Sequence, residues 1–367
     1  MARNHSCWLS CMFLVGLALI SGICAAADKD PAVKELEPVW SLEGEWMGVV
    51  GDENEGVVYA LSVSRKCVEL DSTGKTRREF MLPNAGNSLR LANCPGDGGR
   101  ALLAFTRWGD DELRAYNLKG EQLWSYDDGQ GINDVWPTNL HGDKSSDVIV
   151  GFNGNDGLHV LDSKGRLRWK STANLNPRSV CAGDVLSDGT LQVLTASNDG
   201  IRVFGSDGTE RKKLDEGHKA STMVRIGSPS ENHDTAMIFV DGQTLSADEK
   251  QVLRFVTALS GDGNKKWTLE LPAFALANVN FALPLRAGPV GANSAMLALG
   301  MPWLAIGSNY GQVHVIDAEN GKIIVSVNGK GAIPPEVGWV MSKADGKPLL
   351  LVANGGKLNA FRVAGTK

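Results

Sequence analysis

The sequence has little of what enzymes usually build chemistry from. Its six histidines (His5, His141, His159, His218, His233 and His314) fall into no His-Glu-x-x-His or other metal-ligand spacing. No Gly-x-Ser-x-Gly elbow and no P-loop occurs. Of six cysteines, Cys7, Cys11 and Cys24 lie in the first 27 residues, leaving Cys67, Cys94 and Cys181. Three is an odd number, so at most one intrachain bridge can form, and Cys67 with Cys94 on neighbouring repeats is the pair it would join. No Cys-x-x-Cys or Cys/His cluster suggests zinc. The formal net charge of -5 gives no electrostatic reason to hold nucleic acid, and the one short basic run, Arg211-Lys212-Lys213, reads as an outer strand carrying protective lysines. The paired acids Asp110-Asp111 and Asp127-Asp128 fall at turns or strand ends and read as solvated surface. No stretch shows a helical period.

Long apolar runs are also scarce. Met12–Ala27 is apolar but short for a membrane span; with Arg3 before it and Ala25-Ala26-Ala27 before Asp28, residues 1–27 read as a signal peptide rather than an uncleaved anchor. Ser21-Gly22-Ile23 before Cys24 is a poor lipobox. Residues 28–37 are expected to be a short linker and 38–367 a single domain, extracytoplasmic (periplasmic or secreted).

What is abundant is glycine: 43 residues, about 12% against a usual ~7%. The glycines recur after Asn, Asp or Lys, as tight β-turns require. One phrase repeats: an apolar strand, a polar turn ending in Gly, then a strand often bearing Trp. It appears at Tyr116–Gly120 with Trp124, at Leu161–Gly165 with Trp169 and at Leu259–Gly263 with Trp267, with further copies ending at Gly74, Gly208, Gly321 and Gly365. The spacing is near 45 residues, apart from two longer intervals that need insertions at 241–251 and 286–302. Such a period with short strands is that of a propeller blade. The third repeat predicts strands near 132–140, 146–152, 157–163 and 167–173. Asn-x-Gly turns at Gly157, Gly200, Gly311 and Gly356 precede the phrase in four copies.

The fourth strand of the last copy is missing after Gly365, while residues 38–44 form an orphan fourth strand with Trp40 in the role of Trp124 and Trp169. The expectation is therefore an all-β, seven-bladed β-propeller of four-stranded antiparallel blades, closed by N-terminal strand pairing in the last blade.

Leu-Asp-Ser-Lys-Gly-Arg-Leu-Arg-Trp at 161–169 resembles the blade signature of PQQ-like (quinoprotein dehydrogenase-like) propellers. Asn139–Gly151 and Asp184–Gly189 resemble FG-GAP or VCBS repeats. The resemblance covers nearly all of 38–367 and implies fold more than function. FG-GAP loops can bind Ca²⁺, but the equivalent positions here are Asn139, His141, Asp143 and Asp147; Asp184, Leu186, Asp188 and Gln192; and Asn93, Pro95, Asp97 and Ala101. Leu186 and Pro95 bring no side-chain oxygen, and the retained Asp97, Asp143, Asp188 and Asp345 read as turn residues bonding their own backbone. The quinone enzymes implied by the other resemblance carry a Trp floor, a Ca²⁺ set, a catalytic Asp and often adjacent cysteines; the mature chain lacks the Cys pair, and no residues can be matched to the rest. No cofactor, metal site or catalytic residue is therefore assigned.

The repeated tryptophans read as blade-to-blade packing. Trp303 stands apart from that set. So do Trp136 and Trp339, placed at predicted inner strands beside blade-to-blade linkers. With Asn133, Asp134, Asn176, Arg178 and Glu336 they compose a candidate ligand or partner face at the channel mouth; the alternative is that both belong to the inner-strand core. The resulting expectation is a non-catalytic binding or scaffolding module for a protein or carbohydrate ligand, monomeric and without integral membrane association after cleavage. The alternative is a PQQ-like quinone-dependent or carbohydrate-active enzyme on the same fold.

Overall fold

The computed structural model describes residues 36–52, 55–94, 99–107, 109, 112–143, 145–197, 199–214, 221–227, 237–245, 251–275, 286–287, 303–307, 312–328, 336–353 and 355–363. The signal-peptide reading of 1–27 and most of the linker lie outside them. Among the described residues every regular element is a β-strand. In chain order they are β1 (Leu36–Asp52), β2 (Val57–Ser62), β3 (Lys66–Asp71) and β4 (Thr76–Met81); β5 (Ser88–Ala92), β6 (Ala101–Phe105), β7 (Leu113–Asn117) and β8 (Gln122–Tyr126); β9 (Ile132–Thr138), β10 (Asp147–Phe152), β11 (Leu158–Leu161) and β12 (Leu167–Ser171); and β13 (Ser179–Gly183), β14 (Gln192–Ser197), β15 (Gly200–Phe204) and β16 (Glu210–Leu214). Then come β17 (Ser221–Gly227), β18 (Met237–Leu245), β19 (Gln251–Ser260) and β20 (Lys265–Ala275); β21 (Arg286–Ala287), β22 (Trp303–Gly307), β23 (Gln312–Asp317) and β24 (Ile323–Asn328); and β25 (Glu336–Met341), β26 (Pro348–Ala353) and β27 (Gly355–Val363).

From β5 to β24 each group of four is its own antiparallel sheet. The remaining strands share one seven-stranded sheet, β25-β26-β27-β1-β2-β3-β4, because β1 has two partners. Its first half pairs with β27, from Leu36↔Val363 to Glu43↔Lys357, and its second half with β2, from Gly48↔Leu61 to Asp52↔Val57. The first strands of consecutive sheets lie against one another, with β1 beside both β5 and β25. This is a β-propeller arrangement.

The burial gradient follows from that arrangement. A strand inside a blade is covered by neighbouring sheets on both faces, so it reads as a continuous apolar run rather than an alternation. Every residue of β2, β6, β10, β14 and β26 is buried. The outermost strands β4 and β16, with sequences Thr-Arg-Arg-Glu-Phe-Met and Glu-Arg-Lys-Lys-Leu, are largely exposed, as expected for Arg211-Lys212-Lys213.

The turn glycines act as the repeat implied. Gly74, Gly120, Gly165, Gly208, Gly263 and Gly321 all have positive φ, between 72° and 90°. The outermost tryptophan of one blade lies flat over the turn glycine of the next. A Cβ added to Gly165 would stand 2.6 Å from Trp124, one on Gly208 2.8 Å from Trp169, and one on Gly321 2.6 Å from Trp267. Trp40 covers Gly74 in the same way, at 2.6 Å. Each indole also donates its N–H to a backbone carbonyl of the turn it covers, from Trp40 to Ser72, Trp124 to Ser163, Trp169 to Ser206 and Trp267 to Ala318, at 2.8–3.0 Å. Where the equivalent position is Lys212, its ammonium reaches the turn carbonyl of Asp262 instead, at 2.7 Å. Trp169→Ala removes both the apolar cover and the hydrogen bond at one seam, so it should destabilise the fold by about 2–4 kcal/mol, with Trp169→Phe losing less. Urea unfolding midpoints at unchanged slope would measure this, and a loss below ~0.5 kcal/mol in the Ala variant would show that the indole is not a seam contact.

Cys67, Cys94 and Cys181 are buried thiols outside any disulfide, so the Cys67–Cys94 bridge does not form. Burial pushes the Cys67 thiol well above its ordinary range. Part of the added length expected at 241–251 lies in β18 and β19, which at nine and ten residues are longer than any of β5–β16; most of 286–302 lies outside the described residues, as do Gly311 and Gly365.

Candidate functional site

The connection from β12 to β13 meets the first strand of the preceding blade, β9, at the end the sequence places at the expected mouth. There the structure brings together Asn133, Asp134, Asn176 and Arg178. Asn133 and Asp134 are the second and third residues of β9, and residues 172–178 connect β12 to β13. Asn133 Nδ2 donates to Asn176 Oδ1 at 2.8 Å and to the Pro177 carbonyl at 3.1 Å. Asn176 holds φ at 52°, a left-handed conformation that asparagine tolerates, and its backbone N–H donates to the Gly154 carbonyl at 2.9 Å.

Asp134, fully buried, ties three blades together. Its Oδ1 accepts from Arg90 of β5 at 3.2 Å and from Arg107, in the β6–β7 connection, at 2.8 Å. Its Oδ2 accepts from the Ser179 hydroxyl at 3.0 Å and the Val180 amide at 3.2 Å, both on β13. Arg90 also donates to the Val135 carbonyl and lies over the Phe105 ring. Glu336 is elsewhere on the mouth: on β25, it accepts from Ser88 of β5 at 3.1 Å.

Trp136 and Trp339 are a correction. The sequence offers them as apolar anchors of the face, with the inner-strand core as the alternative, and the alternative holds: both are buried, with relative exposures of 4% and 1%. They sit in mid-strand, opposite Ile149 and Leu350, and pack into the apolar core between sheets. A first strand flanked by two neighbouring sheets has no exposed face on which a large ring could be presented. The apolar group that does face solvent at this mouth is Leu175, 44% exposed beside Asn176. Arg178 is partly buried, and burial alone lowers its pKa. No hydrogen-bond or ion-pair partner of its guanidinium occurs among the described residues. Arg90, Arg107, Ser88, Ser179 and Leu175 were absent from the expected set. The signal for Arg90 was available: a cation inside the apolar strand Ser-Leu-Arg-Leu-Ala needs a buried acid. Arg107 and Leu175 lie on connections, where no period marks them.

The acidic loops are occupied by the chain itself. Asp147 Oδ2 lies 2.8 Å from His141 Nδ1, and its Oδ1 lies 2.6 Å from Arg168 Nε. Asp143 accepts from the Ser145 amide and hydroxyl, and these bonds hold its pKa below the ordinary carboxylate value. Asp188 accepts from Thr190 and Gln192 with the same consequence, and Asp184 caps the Asp188 and Gly189 amides. These are the backbone-bonding turn roles expected of the retained aspartates; Asp97 lies outside the described residues.

A second titratable group spans the seam between β5–β8 and β9–β12. His159 of β11 is fully buried, and its Nδ1 lies 3.0 Å from the Tyr126 hydroxyl of β8. Its Nε2 is 3.3 Å from Asp128 Oδ2. Burial holds His159 below its ordinary pKa, while burial and then the charges of Asp128 and Asp156 push the Tyr126 hydroxyl up to about 12. A phenol so disfavoured as an anion is a poor nucleophile, so the Tyr–His–Asp order does not make an activated triad. Nor do the mouth carboxylates fit a quinone–Ca²⁺ centre: both oxygens of Asp134 already accept from donors and Glu336 accepts from Ser88.

The chain is similar to known proteins in the following respects. Residues 35–249 match the family model described as outer membrane protein assembly factor BamB. No curated protein matches the sequence. Among solved structures, BBS1N in complex with ARL6DN superposes with a TM-score of 0.57 at 14% identity, over 90% of this chain and 98% of that one. At such identity the likeness shows the fold alone, and it agrees with the β-propeller of the coordinates. The family match spans more than half of the chain, and on it the protein belongs to the BamB family of PQQ-like repeat propellers.

Proposed function

We propose that this protein is a non-catalytic binding and scaffolding module, a seven-bladed propeller closed through β1, that works outside the cytoplasm. The ring is supported by β1, which serves as outermost strand beside β27 and continues as first strand beside β2, and by the succession of first strands from β5 to β25 with β1 beside both. An extracytoplasmic place fits a family described by outer membrane protein assembly and the signal-like residues 1–27.

The observation that carries the binding role is the mouth connection at 172–178. It presents an exposed leucine, Leu175, three residues from a partly desolvated guanidinium, Arg178, with no acid beside it among the described residues. A partly buried arginine without a counter-charge is unfavourable in the isolated chain and gains from a partner's carboxylate. An apolar contact beside an arginine is also the composition of interface hot spots. The partner that fits is a protein surface with an acidic residue flanked by an apolar one.

The reading is tested by placing a photo-crosslinking amino acid at Leu175 and, separately, at Lys164 on a turn loop, in cells producing the full chain. A discrete adduct is expected from position 175, not from 164, and Arg178→Glu should abolish it while moving the melting temperature by no more than about 2 °C. An equal adduct from position 164, no adduct at all, or an adduct indifferent to Arg178→Glu would each count against the mouth as the docking face.

A further inference from the structure

The Asn153–Gly157 turn, between β10 and β11, is the underside of the mouth. The Asn153 amide donates to the Gly131 carbonyl of the β8–β9 connection at 2.6 Å, and the Gly154 carbonyl accepts from the Asn176 amide of the 172–178 connection at 2.9 Å. A Cβ added to Gly157 would stand 2.3 Å from the Ser171 carbonyl and 3.2 Å from that of Asn174. This turn therefore supports two mouth connections at once. His159 lies two residues beyond it, with no solvent exposure, and bonds Tyr126 at the end of β8.

We propose that His159 is a proton-sensitive latch: neutral, it locks the β8–β9 connection onto the Asn153–Gly157 turn, and its protonation releases that connection and loosens the mouth.

The groups around the imidazole decide the direction. The Tyr126 hydroxyl and Nδ1 lie 3.0 Å apart, and in the neutral ring of the docked form proposed here Nδ1 is the acceptor. The Phe152 ring, centred 4.7 Å away, closes one side and cannot solvate a charge. Two carboxylates favour the cation: Asp128, 3.3 Å from Nε2 but one-third exposed, and Asp156 on the turn. Lys170 of β12 opposes it and lies 3.7 Å from the same Asp128 oxygen, drawing off part of that attraction. Enclosure is the largest effect and outweighs the acids, which holds the docked ring below the ordinary histidine value of 6.5. Protonation also ends the acceptor role of Nδ1 toward Tyr126. Opening the connection gives the imidazolium access to water. The docked form binds fewer protons than the open one, so docking is complete above about pH 6.5 and weakens as pH falls below it, by at most tenfold per pH unit for one proton.

Hydrogen exchange of the full-length protein, corrected for intrinsic rates and followed from pH 7.5 to 5.5, tests this. The amides of Asn153 and Asn176 should lose up to about tenfold protection across that range, while those of β14 and β26 keep theirs. His159→Gln, which can still accept from Tyr126 but does not titrate, should abolish the pH response. Asp128→Asn should leave the onset near pH 6.5 and make the loss of protection by pH 5.5 at least as large, because it removes a carboxylate that favours the charged ring in the docked form. If His159→Gln does not fold, the imidazole of the unmodified protein decides by NMR: titration at or above 6.5 overturns the proposal. Unchanged protection between pH 7.5 and 5.5, or an undiminished pH response in His159→Gln, overturns it as well. All of these readouts concern the chain alone, so their failure leaves the docking reading standing.

Discussion

Replacing Asp134 by Ala should destabilise the protein by about 3–5 kcal/mol, the largest effect expected of any single substitution at the mouth. The carboxylate is fully buried and both of its oxygens are used, one by Arg90 and Arg107 and the other by Ser179 and Val180. Its removal leaves the Arg107 side chain, only 6% exposed, facing a void as an uncompensated cation, and strands a buried hydroxyl and amide. Because β5, β9 and β13 meet through this one group, the loss should appear in global unfolding and not only in local fraying. Asp134→Asn should lose less: its carbonyl oxygen can still accept from the two arginines, but the amide nitrogen cannot accept from Ser179 and Val180. Guanidinium unfolding read by tryptophan fluorescence would rank the three proteins. A loss under about 1 kcal/mol for Asp134→Ala would mean that Arg90 and Arg107 find water or other acceptors, and the three-blade tie would be discarded.

Asp134 also marks where sequence reading stops. The strands of the third blade were legible to within a residue or two: β9–β12 cover 132–138, 147–152, 158–161 and 167–171. That success has a local cause, because each turn needs positive φ at a glycine and each glycine prints its position into the sequence. The seam contacts were legible for the same reason, since Trp124, Trp169 and Trp267 recur four residues after those glycines and land on the next ones. Of the expected face, the neighbourhood of four residues was legible. Asn133, Asp134, Asn176 and Arg178 do come together, because connections between blades must collect on one face.

Which side chains face solvent there was not legible. Trp136 and Trp339 look like anchors by composition, yet the alternation of a first strand has two buried faces, one against each neighbouring sheet. No pattern in one strand reveals that its second face is covered by a different repeat some 45 residues away. Arg90 and Arg107 were missed for a related reason: their partner is on another blade, and ion pairs at a separation of 27 or 44 residues leave no local spacing to read. The buried thiols make the same point in reverse, since Cys67 and Cys94 sit on neighbouring blades without forming a bridge.

The second large effect concerns β1. Deleting residues 36–44 should lower stability by more than about 5 kcal/mol, enough to consume most of the margin of an ordinary domain. The segment contributes the fourth strand beside β27, in register from Leu36↔Val363 to Glu43↔Lys357. It also supplies Trp40, which covers Gly74 and donates to the Ser72 carbonyl, and Leu42, packed on the same core. Loss of Trp40 alone should cost about 2–4 kcal/mol. The ladder hydrogen bonds add roughly 1 kcal/mol each, and the exposed edge of β27 adds a tendency to associate. A permuted chain separates the missing strand from the missing clasp. With residues 36–44 moved behind Val363 on a short linker, the strand can pair as before, but the covalent step from outermost strand beside β27 to first strand beside β2 is cut. If β1 closes a ring, the permuted protein should fold with all its strands yet unfold faster than the parent, because opening β25–β27 away from β2 no longer strains a continuous backbone. Stopped-flow unfolding in guanidinium would compare the three chains. Equal unfolding rates in parent and permutant would show that β1 fills a sheet without clasping the ring. A deletion variant within ~1 kcal/mol of the parent would remove the N-terminal strand from the stability of the fold altogether.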